Sequence, residues 1–144
     1  MKSAHSARSV WFAVAATVLL VGAAASARPV ANLRAEIRVA AIHAGLAVDM
    51  HRVALIHLHL HHVINCLVGM RGRQFDPRAG NPCKGLGHGA ISDAPASGEI
   101  HLDLVHALKL ALNGEKASTF TLAHRLAIDT RHFLLMAKHS LPHG

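Results

Sequence analysis

The chain has 144 residues, of which 51% are hydrophobic but only 3% aromatic, with one Trp and no Tyr. That length holds one small domain, and the composition excludes a large aromatic-lined enzyme core. Lys and Arg number 15 against 8 Asp and Glu, and the 14 histidines dominate the chemistry, because imidazole is the commonest protein metal ligand.

Lys2 and Arg8 precede an apolar run from Val10 to Val21, which is followed by the small residues Gly22 to Ala27. This order of basic, apolar and small residues reads as a signal peptide spanning residues 1–27, cleaved after Ala25-Ser26-Ala27. The apolar run is about a dozen residues, shorter than the roughly 20 that span a bilayer, so no stable membrane span is expected after cleavage. Residues 28–144 are then a single His-rich domain, periplasmic or secreted. Its Lys and Arg are scattered, and export argues against nucleic acid as a partner.

From Ala31 to Leu67 the pattern is helical, with no Pro and one Gly, Gly45. A single helix over that span would be about 55 Å long, so a break is expected near Gly45. Cys66 and Cys83 lie 17 positions apart in an exported chain, a spacing that predicts a disulfide bond and matches neither the C-x-x-C redox motif nor C-x-x-C-H haem attachment. Turn signals crowd residues 69–98, among them Asp76-Pro77, Asn81-Pro82 and Gly87-His88-Gly89, and predict a long irregular Gly/Pro-rich loop tethered by the bridge. Ser97 is placed to cap a helix over Gly98 to Asn113, with Gly114 just past its end. A last helix begins near Ser118 or Thr119 and ends at His139, with Leu122, Leu126, Phe133 and Ala137 expected inward and Pro142 as the stop. The predicted fold is all-α, a small antiparallel helical bundle of three or four helices.

The candidate site centres on the run His57 to Cys66. At 100° per residue, one helix through residues 31–67 puts His43, Met50, His57 and His61 on one stripe with Glu36, and His51 and His62 on a second stripe. His59 points elsewhere and is expected to be exposed. His57 and His61, one turn apart, form the chelating pair that metal sites in helical bundles reuse. The last helix offers His132, Met136 and His139 on one face, and the helix before it offers His101 or His106. Imidazole suits copper and zinc alike, and the thioethers of Met50 and Met136 lean toward copper. Glu-x-x-His and His-Glu-x-x-His are absent, which argues against a di-iron centre and a zinc protease. A hydrolase built on Asp76 or Asp93 with His88 has no nucleophile beside them in sequence, so a non-enzymatic role is expected.

These readings predict an exported transition-metal-binding protein, a chaperone, buffer or sensor, with a metal ion and an exported protein as its candidate partners. A haem-binding bundle for electron transfer is the alternative, since axial His and Met are plentiful while aromatic packing is scarce. A pH-sensitive interaction module is the third reading.

Overall fold

A computed structural model describes residues 30–142; the expected signal segment lies outside them. The described residues form five α-helices and no strand: α1 (Val30–Asp49), α2 (Val53–Val68), α3 (Ala90–Asp93), α4 (Glu99–Gly114) and α5 (Phe120–His139), with a 3-10 turn at Pro77–Ala79. None is long and apolar enough to cross a membrane.

The break in the first helical segment falls at Met50–Arg52, not near Gly45. Arg52 is extended (φ −126°, ψ 128°), and its carbonyl accepts the first turn of α2 from Leu55 and Ile56. Gly45 stays helical, and a Cβ there would rest in ordinary contact with the Arg131 side chain of α5, 3.6 Å from its Nε. Short connections turn α1 back on α2 and α4 back on α5, giving two helical hairpins. The hairpins meet where α1 lies along α5: the Arg34 side chain donates to the Pro142 carbonyl at one end, and His124 Nε2 bonds the Val48 carbonyl (3.0 Å) at the other.

Small residues set the spacing between helices. Ala40, Ala44 and Ala47 of α1, Ala107 and Ala111 of α4, and Ala123, Ala127 and Ala137 of α5 are all fully buried. Flat alanine faces let backbones approach closely, and larger side chains from α2, including Ile56, Leu60, Ile64 and Leu67, fill the centre. Gly114 is the last residue of α4, not the residue past its end, and a Cβ there would meet Leu60 Cδ1 at 2.6 Å. Ser97 makes no cap: Gly98 takes that position, with φ 121°, a conformation that glycine adopts without strain. Thr119 caps α5 through the Leu122 N–H. Leu122, expected inward, is instead exposed on the first turn of α5, whose buried line runs through Ala123, Ala127, Thr130 and Leu134.

Between α2 and α4 the chain is ordered by named contacts, and it carries the 3-10 turn and α3. The Cys66–Cys83 disulfide is present and ties this strap to the end of α2. Beside it, the fully buried Asn65 donates through Nδ2 to the carbonyls of Asp76 (2.7 Å) and Gly80 (2.6 Å), and its Oδ1 accepts from the Asp76 N–H (2.9 Å). Farther along, Glu36 of α1 accepts from the Gly89 N–H at 2.9 Å. Both ends of the strap are therefore fastened to the first hairpin.

Candidate metal centre

The break at Met50–Arg52 resets the helical phase, so azimuths counted through it do not relate α1 to α2. Within α2, His59 and His62 are three residues apart and share a face. The antiparallel turn of α1 brings His43 opposite that pair. The Nδ1 atoms of His43 and His62 are 3.2 Å apart and those of His43 and His59 are 3.3 Å apart. One ligand atom from each of the three residues lies within 4.8 Å of the others, an arrangement that can hold a metal ion, and all three side chains are half-buried.

The strap orients one of these rings. His62 Nε2–H donates to the Ala79 carbonyl at 2.6 Å. A carbonyl only accepts, so Nε2 carries the proton and the Nδ1 lone pair of neutral His62 faces His43. The carbonyl is held in place by Asn65, which grips the chain on either side at Asp76 and Gly80, and by the disulfide at Cys83.

Neutral imidazoles leave this cluster short of protons. His62 Nδ1 brings a lone pair, and the His43 Nδ1 that both contacts share carries at most one hydrogen. If that hydrogen is on His43, two lone pairs compete for it; if His59 supplies it instead, His43 and His62 face each other lone pair to lone pair. A cation between the rings satisfies all three nitrogens together. Protonating His43 or His59 is no remedy: burial first, then the His62 and His59 rings, holds His43 down to about 4, and His59 is lowered by burial and by His62.

The structure therefore brings together His43 and His62 of the expected ligands, and adds His59, which was expected to be exposed. His57 and His61 turn to the α4–α5 connection instead. His57 Nε2 bonds the Ala117 carbonyl at 3.0 Å, and His61 Nε2 pairs with Glu115 Oε2 at 2.9 Å. Met50 packs half-buried against the core, and His51 is exposed. His132, Met136 and His139 line a shallow hollow on the exposed side of α5 with Leu135 and Ser140, apart from the three converging rings. The three-residue spacing of His59 and His62 is a sequence signal that could have found this pair; the Ala79 carbonyl leaves no side-chain signature at all. No protein-family model, curated protein or solved structure matches the chain.

Proposed function

We propose that this is an exported metal-binding protein of chaperone, buffer or sensor type, which takes up a late transition-metal ion, zinc first, on His43, His59 and His62. The observation that carries the reading is the proton shortage at three converging Nδ1 atoms, with one ring already turned by the Ala79 carbonyl. A tetrahedral ion with Zn–N bonds of about 2.0–2.1 Å separates its nitrogens by about 3.3–3.4 Å, close to both measured contacts. Among the described residues no Cys, Asp, Glu or further His joins the group, so a fourth position is left to water or an exchangeable ligand. An open position suits uptake and release better than a closed four-ligand structural site.

Copper is the second candidate, because imidazole also binds it well. The thioethers that favoured copper do not extend to this group, since Met50 packs in the core and Met136 is exposed on α5. Haem takes axial ligands from opposite faces of a macrocycle, whereas these three rings converge on one point with centroids 4.6–5.7 Å apart, which favours an ion. Export rests on the basic-apolar-small pattern of residues 1–27, and a disulfide-bonded chain suits an oxidising compartment. The test is elemental analysis of protein prepared without an affinity tag, followed by zinc titration against a chromogenic chelator. One tightly held ion per chain, lost in H43A, is expected; a Soret band in the purified protein, or no ion retained, overturns the reading.

A further inference from the structure

The surface along α1 and α5 carries a second feature. Where α1 lies along α5, large apolar side chains stand in solvent: Ile42 is 52% exposed, Ile128 42% and Leu135 41%, and Leu46 joins them. Four adjoining hollows share Leu135 in their walls, and together they run from Arg34 and Leu141 at one end to Val48 and Ile128 at the other. Along α1, Arg34 to Val48 covers about 21 Å at 1.5 Å per residue, enough to seat about four turns of another helix.

The rim of this groove is cationic. Arg34, Arg38, Arg131 and Lys138 all line its hollows, and among the described residues none lies within ion-pair distance of a carboxylate. Asp49 stands at one end, and Asp129 is already matched by Arg125 at 3.8 Å. Four cations around an apolar floor, against Asp49 as the one carboxylate lining the same hollows among the described residues, repel a second copy of the same face. They complement a ligand with apolar residues on one side and carboxylates flanking them. The length of the strip, about four helical turns, and its cations flanking a central apolar line fit a single helix with one apolar and one acidic side.

We propose that the α1–α5 groove docks an acidic amphipathic helix of a partner protein, with its apolar side on Leu135, Ile42 and Leu46 and its carboxylates against Arg38, Arg131 and Lys138. The inference stands apart from the metal site, and neither depends on the other. The probe is a fluorescent synthetic helix of Leu, Ala and Glu, about 18 residues long, with Leu at i, i+3, i+4 and i+7. Saturable binding to the full chain is expected by anisotropy, weakened roughly tenfold by the double variant R38E/R131E and lost in L135D. Both variants replace exposed side chains, and unchanged circular dichroism confirms that they fold. Equal binding of a peptide with Lys in place of Glu, or an affinity untouched by R38E/R131E, overturns the proposal. So does an L135D-sensitive dimer at assay concentration, or L135D-sensitive binding to phosphatidylglycerol vesicles without binding to the peptide; these would assign the groove to a second copy or to lipid.

Discussion

Replacing His59 separates the three-histidine candidate from the one that unbroken helical periodicity suggests. His59→Ala, His62→Ala and His43→Ala each remove one of three converging nitrogens and should lower zinc affinity at least about 100-fold, because a multidentate site loses more with one ligand than with an orienting neighbour. His57→Ala and His61→Ala should leave affinity within about threefold, since these rings bond the α4–α5 connection. Their cost is to folding, about 1 kcal/mol each for a lost, partly exposed hydrogen bond. Competition titration and urea unfolding of the five variants read the two quantities separately. At this scale the sequence was partly legible: the abundance of histidine pointed to metal, and His43 and His62 were among the candidates. What it hid was the three-residue break after Asp49, which makes the phase of α2 independent of α1 and so exchanges the roles of His57 and His59.

At the level of elements, the strap between α2 and α4 links stability to the site. The disulfide was readable from cysteine spacing and the turn-rich composition from its Gly and Pro, but the order of this segment was not. That order comes from Asn65, an amide on a helix that bonds chain 11 and 15 residues away. Asn65→Ala strands two carbonyls and one N–H and should destabilise the protein by about 2 kcal/mol or more. The same change frees the Ala79 carbonyl that holds the His62 tautomer, and zinc affinity should fall about tenfold although no ligand is touched. The double variant Cys66→Ser/Cys83→Ser should lose about 3 kcal/mol by relaxing the unfolded chain's constraint. If the strap positions His62, that variant also binds zinc more weakly under conditions where it remains folded. An unchanged affinity in both variants would mean that the ring holds its orientation without the strap.

Across the whole molecule, helix type and approximate span followed from periodicity and from Thr119, while the packing of hairpin on hairpin did not. Alanine faces and Gly114 permit close approach without naming the neighbour, and a buried carboxyl gives no periodic warning. Glu36 is such a group. It sits 1% exposed between α1 and the strap, and among the described residues its Oε2 accepts from no donor. Burial raises its pKa to about 7, the Gly89 N–H opposes the rise, and the negative charge of Asp93 reinforces it. The folded protein thus keeps a proton that the unfolded chain releases near pH 4.5. The stabilising contribution is full below that value, declines as pH rises toward about 7, and is gone above it. Glu36→Gln retains an oxygen to accept from Gly89 and cannot ionise, so its stability relative to the native chain should climb across that interval and level off beyond it. His43 and His59 slope the other way, being held below the ordinary imidazole range, but both proteins carry them and the difference cancels their share. Urea midpoints for the metal-free pair, measured from about pH 4.5 to 8, decide the matter. A difference that stays constant over the range would show that Glu36 is ionised throughout and that the strap is docked by a carboxylate rather than by a neutral acid.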